Sequence, residues 1–208
     1  MMAEKFDFKK FFIASAFTLI CSAINFAGAK FAAVVHIPLY LDSILTISVV
    51  ALYGFVPGIV CAVLSNMAMV VFMGSSSLFT FCHLTTAILA WIAFWYFDKK
   101  YPNEDRKLDA FLWAGFFAAI SNAILGNIIA DVVYGALTGR PQADVVAQAM
   151  FTAVPNRMFC IYISGFIQNL TDKMLSAGLS FIVFNKIKKY SLTTLMGKAT
   201  NAELPAVK

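Results

Sequence analysis

The sequence predicts an all-α membrane protein, a multi-pass bundle of six transmembrane helices. Of its 208 residues, 61% are hydrophobic and 13% are charged, whereas soluble domains average about 45–50% apolar and about 25% charged residues. The apolar residues also form long uncharged runs separated by short polar, charged or glycine-rich segments, and about 20 apolar residues suffice for a helix to cross a bilayer. The length suits a single integral membrane domain over 1–208.

Six spans account for the apolar runs, and we expect them at about 11–29, 41–54, 58–73, 78–97, 110–134 and 157–184. The second and third come from one uncharged run, Ser43 to Met73, which is too long for one helix and too short for two full-length ones. We divide it at Gly54–Gly58, where glycine and proline permit a tight turn between two short helices. A further short helix is expected over 143–153, before Pro155. The N-terminus resembles a signal peptide, but its apolar run is longer than a signal core, so we expect a retained first helix.

The charge pattern indicates how the chain lies in a lipid bilayer. The formal net charge is +5, and twelve of the sixteen lysines and arginines fall on one side when the N-terminus is placed in the cytoplasm. Such an asymmetry is the positive-inside pattern. It predicts cytoplasmic termini and argues against a nucleic-acid partner, because the basic residues lie between apolar spans rather than on one surface.

In this orientation, polar side chains collect at the outer ends of the helices. The candidate ligand-binding residues are Lys30, His36, Asp42, His83, Asn127, Asp131, Tyr134, Asn156 and Arg157. Ionisable groups inside a membrane usually face a cavity or each other, so we expect a pocket for a small polar molecule. The outer excess of basic residues favours a ligand with a carboxylate. Two alternatives remain open: Lys30 and Arg157 could extend to the headgroups, and Asp131 could form a structural ion pair with Arg157.

Asp172 and Lys173 lie near the middle of the sixth span. Adjacent helical residues point about 100° apart, so we do not expect these two to pair with each other. They could close the floor of the pocket or form a coupling surface. Alternatively, each could pair with a polar residue on a neighbouring helix, for instance Asn66 or Asn122.

One stretch carries a resemblance to a known family. It contains Leu41, Asp42, Ser43, Ile44 and Thr46, then Gly54, Pro57 and Gly58, then Ser65 and Asn66. This order resembles the substrate-binding S components of energy-coupling factor transporters, and also the ligand-sensing membrane regions of some bacterial sensor kinases. The polar run Gln168–Lys173 and the six predicted spans fit the same family.

The resemblance implies a membrane-embedded binding subunit that captures a vitamin-like or other small micronutrient outside a bacterial inner membrane. Its implied partners are a transmembrane coupling subunit and two ATPase subunits. Ala14, Thr18 and Ser22 recur every fourth residue, and small residues at that spacing let another helix approach closely. The resemblance implies that this face contacts the coupling subunit, while packing inside the bundle is the alternative.

The alternative function is a stand-alone membrane sensor or a small secondary carrier. We expect no enzymatic activity, because the sequence contains neither HExxH nor GxSxG. We also expect no cofactor and no metal site, because the four cysteines lie in apolar segments without CxxC spacing.

Overall fold

A computed structural model describes residues 8–135, 137–138 and 141–202. All regular elements in these ranges are helical, which agrees with the predicted all-α class. The helices are α1 (Phe8–Val35), α2 (Thr46–Tyr53), α3 (Phe55–Met73), α4 (Thr80–Lys100), α5 (Leu108–Tyr134), α6 (Pro141–Met150) and α7 (Arg157–Ala202). A 3-10 turn, Ser77–Phe79, leads into α4.

Within these ranges, four helical stretches are long and apolar enough to cross a membrane: Phe8–Val35, Phe55–Met73, Ser77–Lys100 and Leu108–Tyr134. Their outer faces expose large apolar side chains, such as Phe72 at 68% and Val132 at 76%. Exposed apolar surface on this scale marks contact with lipid or another protein. The chain is therefore a helical protein of membrane character, but the predicted bundle of six spanning helices is not confirmed.

The second predicted span, 41–54, is where the helix count departs most from expectation. Helix α2 has only eight residues, so it is about 12 Å long at 1.5 Å per residue. The chain before it, from Ile37 to Leu45, is irregular rather than helical. The predicted hairpin is present, and its turn is Gly54, with a φ of 85° that glycine adopts readily. The helix is shorter than predicted because the first part of the span, up to Leu45, forms a partly buried irregular segment, which hydropathy does not distinguish from helix.

Both ends of the short α2 helix are held by side chains from other elements. At its start, the Asn25 side-chain oxygen accepts a hydrogen bond from the Leu45 N–H at 2.9 Å, and its amide donates to the Thr46 hydroxyl at 3.0 Å. At its end, the Arg106 guanidinium donates to the carbonyl of Ala51. These contacts satisfy backbone groups that a helix terminus leaves unpaired.

Helices α5 and α7 pack closely beside an aromatic core. Phe94 of α4 meets Phe111 of α5 with ring centroids 4.8 Å apart, and both side chains are buried. Gly115 permits the close approach of α5, because an added Cβ there would lie 2.7 Å from the carbonyl oxygen of Lys173. The helix α7 itself runs to Ala202, beyond the predicted limit at 184, and is less apolar than the four candidate spans.

Candidate functional site

A cavity opens among α3, α4, α5, α6 and α7 and the irregular segment before α2. The centres of water-sized molecules can occupy about 110 Å³ of it. Its wall combines apolar side chains such as Met69, Phe79 and Ile161 with many polar ones. The polar lining residues are Tyr40, Asp42, Asn66, Ser75, His83, Asn122, Asn127, Thr138, Gln142, Asp144, Ser164, Gln168, Asn169 and Lys173.

A buried ionic cluster forms one side of this cavity. The Lys173 ammonium is 2.8 Å from Asp42 Oδ1 and 2.8 Å from Asp172 Oδ2, and it donates to the Ser43 hydroxyl at 2.6 Å. His83 Nε2 lies 3.4 Å from the other carboxylate oxygen of Asp42. Asp172 and Lys173 are almost fully buried, at 0% and 1% exposure. Charges buried this deeply are tolerated only when they are paired and hydrogen-bonded.

The same cluster holds the irregular segment in place. Asp172 Oδ1 accepts hydrogen bonds from the backbone N–H groups of Tyr40, at 3.2 Å, and Leu41, at 2.7 Å. The Ser180 hydroxyl donates to the carbonyl of Ile44 at 2.9 Å. Non-helical backbone at membrane depth must be satisfied by the protein itself. Side chains of α7 therefore form hydrogen bonds with backbone groups of this segment, which in a helix would be paired within the segment itself.

Two buried polar atoms of cavity-lining residues have no hydrogen-bond partner within the described chain. They are Nδ1 of His83 and Oδ1 of Asn66, and the two side chains are 3% and 0% exposed. The amide nitrogen of Asn66 is used, since it donates to the Thr80 hydroxyl at 2.6 Å. Buried polar atoms without partners are uncommon in native proteins, so each calls for an explanation. A bound polar molecule would supply the missing partners.

Three of the nine predicted ligand-binding residues line the cavity: Asp42, His83 and Asn127. The Asn127 amide donates to the carbonyl of Tyr162 at 3.1 Å. Its side chain lies against Gly165, where an added Cβ would come within 2.0 Å of Asn127 Oδ1. A glycine at 165 therefore makes room for Asn127 at the α5–α7 contact.

The other six predicted residues are not in the cavity wall. Lys30 and His36 are exposed, and Asn156 caps α7 by accepting the Phe159 N–H at 3.1 Å. The remaining three are at or near the ends of α5 and α7: Asp131 and Tyr134 are partly exposed, and Arg157 is exposed.

The alternative of an ion pair between Asp131 and Arg157 is not seen in the described part of the chain either. Tyr134 stacks on Phe79, with ring centroids 6.4 Å apart, and the Arg157 guanidinium lies over the Phe151 ring. Among the residues with described side chains, Asp131 and Arg157 form no ion pair. Arg140 lies outside the described residues. Lys30 and Arg157 lie away from the cavity while His83 lines it, so the expected carboxylate ligand stays a prediction.

The prediction that Asp172 and Lys173 do not pair with each other is wrong. Their Cα–Cβ bonds diverge, but the long lysine side chain turns back and reaches Asp172 Oδ2. Within the described chain, the partners suggested from the sequence form no hydrogen bond with the pair: the Asn66 amide donates to the Thr80 hydroxyl at 2.6 Å, and the Asn122 amide donates to the Thr86 hydroxyl at 2.9 Å. The two charged residues instead bind the segment before α2, and Lys173 also lines the cavity.

The small-residue face of α1 packs inside the chain, which is the alternative that the sequence left open. Thr18 and Ser22 are buried, and the Thr18 hydroxyl donates to the carbonyl of Ala14 at 2.7 Å. Ser22 donates to the carbonyl of Thr18 at 2.8 Å and contacts the carbonyl of Cys61 on α3. Ala14 is partly exposed. A coupling-subunit contact through Ala14, Thr18 and Ser22 stays a prediction.

Several lining residues were not predicted, although the sequence contains a signal for some of them. Polar side chains recur every fourth residue along α7 and are all buried: Ser164, Gln168, Asp172, Ser176 and Ser180. Residues four apart share one helix face, so a polar stripe inside an apolar helix marks an interior face. Tyr40, whose hydroxyl donates to Gln168 Oε1 at 3.2 Å, carried no comparable signal.

Comparison with known protein families, characterised proteins and solved structures gave no match. The cavity therefore has to be interpreted from its own chemistry. Within the part of the chain that the structure describes, no three His, Cys, Asp or Glu side chains group together as a metal site would require. The arrangement offers hydrogen bonding and charge to a small molecule enclosed among helices.

Proposed function

We propose that this chain is a membrane-embedded subunit that binds a small polar molecule, the substrate-binding S component of an energy-coupling factor importer in a bacterial inner membrane. The observation that supports this most directly is the cavity with two buried, unpartnered polar atoms, His83 Nδ1 and Asn66 Oδ1. Concave sites with mostly apolar walls and a few convergent polar groups are typical of small-molecule binding.

The assembly in this proposal follows from the resemblance at Leu41–Asn66 and Gln168–Lys173. A transmembrane coupling subunit and two ATPase subunits would drive release into the cytoplasm, where both termini would lie. The substrate would be a vitamin-like or other small micronutrient. In support, Asp42 of the resembling stretch lines the cavity, as does Tyr40 just before that stretch.

A second candidate, a secondary carrier that works alone, is favoured by one observation. The cluster of Asp42, Asp172 and Lys173 is buried among apolar helices, and buried charges of this kind often belong to ion or proton pathways. Reconstitution separates the two candidates. A carrier would move its substrate into proteoliposomes without ATPase subunits, whereas a binding subunit would only retain it.

The binding proposal is tested by filling the cavity. Ala147 lines the cavity from α6 and is 2% exposed, so Ala147→Leu adds bulk where a ligand would lie. The matched control is Ala23→Leu, because Ala23 is exposed on α1. Small molecules that co-purify with the protein would be identified by mass spectrometry after denaturation.

We expect a specific compound to co-purify with the unmodified protein and with Ala23→Leu, and to be reduced at least about tenfold with Ala147→Leu, equivalent to about 1.4 kcal/mol. Both variants should retain the unfolding temperature of the unmodified protein within a few degrees. A compound retained equally by all three proteins would show that this cavity is not the binding site.

A further inference from the structure

The basic residue in the cavity wall has no hydrogen available for an anionic ligand. Among the described lining residues, Lys173 is the one lysine or arginine. An ammonium has three N–H groups, and those of Lys173 are directed to Asp42 Oδ1, Asp172 Oδ2 and the Ser43 hydroxyl at 2.8, 2.8 and 2.6 Å. A carboxylate that entered the cavity would have to displace one of these partners.

The charges of the cluster are also unequal. With both carboxylates ionised and His83 neutral, Asp42 and Asp172 carry two negative charges against the one positive charge of Lys173, and Asp172 is further held by two backbone N–H groups. Asp42 is the carboxylate of this cluster that lines the cavity, and its side chain is 21% exposed. An uncompensated charge in a low-dielectric site is costly. A positive charge placed in the cavity beside Asp42 would offset the excess.

The two unpartnered atoms of the cavity wall, in His83 and Asn66, also favour a ligand that donates hydrogen bonds. His83 Nε2 faces Asp42 Oδ2 at 3.4 Å, and a hydrogen on that nitrogen leaves Nδ1 as an acceptor. Nδ1 has no partner, and neither does Oδ1 of Asn66, which is also an acceptor. Both atoms would therefore be satisfied by N–H or O–H donors from a ligand.

On the basis of the proposed binding function, we infer that the cavity selects a ligand bearing a positive charge with N–H donors, such as an amidinium or a protonated amine, and discriminates against carboxylates. The ligand's N–H groups reach the Asp42 carboxylate, His83 Nδ1 and Asn66 Oδ1. Its apolar part lies against Met69, Phe79 and Ile161.

A charge series at fixed size and shape tests this selectivity. Benzamidine, benzamide and benzoate share one planar ring and carry a positive, zero and negative charge at neutral pH. Binding to the full-length protein in lipid nanodiscs would be measured by equilibrium dialysis. We expect affinity to fall in the order benzamidine, benzamide, benzoate, with at least about tenfold between the first and the last.

The two histidines provide a matched pair of variants. His83→Leu should lower benzamidine affinity at least about fivefold, because leucine has neither a hydrogen-bond acceptor nor a polar group to face Asp42. His36→Leu should leave that affinity unchanged, because His36 is exposed and is not in the cavity wall. Thermal unfolding of both variants checks that the fold is retained.

Three results would overturn the inference. They are benzoate binding as tightly as benzamidine, equal losses from the two histidine variants, and no binding of any of the three compounds. The proposed binding function is judged separately. If an anionic compound co-purifies and is lost with Ala147→Leu, the cavity is a binding site and only its charge preference has been misassigned.

Discussion

At the residue scale, Lys173 is the centre of a cluster that joins three parts of the structure, namely the segment before α2, α4 and α7. Its ammonium contacts Asp42 and Ser43 before α2 and Asp172 on its own helix, while Asp42 also meets His83 of α4. An ammonium at 1% exposure would be very costly without these partners. The residue is therefore a structural requirement of the irregular segment as well as part of the cavity wall.

Replacing Lys173 with methionine should destabilise the protein strongly. Lys173→Met would leave Asp42 and Asp172 as an unpaired buried pair of carboxylates, and breaking a buried ion pair from one side costs about 3–5 kcal/mol. The measurement is thermal or denaturant unfolding in a mild detergent. Adding Asp172→Asn to Lys173→Met should recover part of the loss, because it removes one uncompensated charge.

The control for this experiment is the same substitution at an exposed lysine. Lys30 lies on the surface of α1, so Lys30→Met should change the free energy of unfolding by less than about 0.5 kcal/mol. If Lys173→Met and Lys30→Met had equally small effects, the cluster would not be stabilising the segment before α2.

At the element scale, hydropathy predicts the positions of some helices well and the bounds of others poorly. The apolar runs of α1, α3, α4 and α5 were predicted at nearly the correct positions, because the bilayer requires about 20 apolar residues in each. The helix α2 was predicted over 41–54 but spans only Thr46–Tyr53. Its length depends on Asn25, Arg106 and Asp172, which satisfy backbone groups from elsewhere in the chain. Such contacts join residues far apart in sequence and leave no local pattern.

The contact between α5 and α7 provides a prediction at this scale. Gly115→Ala should destabilise the protein, because the added Cβ would lie 2.7 Å from both the Lys173 carbonyl oxygen and the Ala177 Cβ. Relieving such contacts moves the helices apart or strains them, at a cost of about 1–3 kcal/mol. Unfolding in detergent would measure the change.

Gly178 on α7 gives a matched control for Gly115→Ala. A Cβ at Gly178 would meet nothing within 4 Å, and alanine favours a helix over glycine by up to about 1 kcal/mol. Gly178→Ala should therefore be neutral or mildly stabilising. A destabilisation of equal size at both positions would indicate that glycine is needed for reasons other than close helix packing.

The candidate site was predicted less completely than the helices, for a related reason. Asp42, His83 and Asn127 were found because polar residues in apolar runs stand out, and all three line the cavity. Asp131 and Tyr134 were grouped with Asn127 from helical spacing alone, yet neither lines the cavity, although Ala130, Leu137 and Thr138 close to them do. Spacing identifies a shared helix face, but which of its residues reach a cavity depends on how neighbouring elements pack.

At the scale of the whole molecule, charge separates the two ends of the helices. The connection between α4 and α5 carries most of the described ion pairs outside the buried cluster, including Arg106 with Asp98 at 2.5 Å and Lys188 with Asp105. The opposite end has the serine-rich turn at Ser75–Ser77 and the short helix α6, both beside the cavity. If the basic end is cytoplasmic, as the positive-inside pattern predicts, the cavity lies toward the outer face.

Cysteine labelling in intact cells tests this orientation. Asn103 and Ser77 are both exposed, at opposite ends of α4. Ser77→Cys should react with a thiol reagent that does not cross membranes, while Asn103→Cys should react only after the cells are permeabilised. The four native cysteines are buried, so the unmodified protein provides a low background. Labelling of Asn103→Cys but not Ser77→Cys in intact cells would place the cavity on the cytoplasmic side, where a subunit for uptake could not capture its substrate from outside.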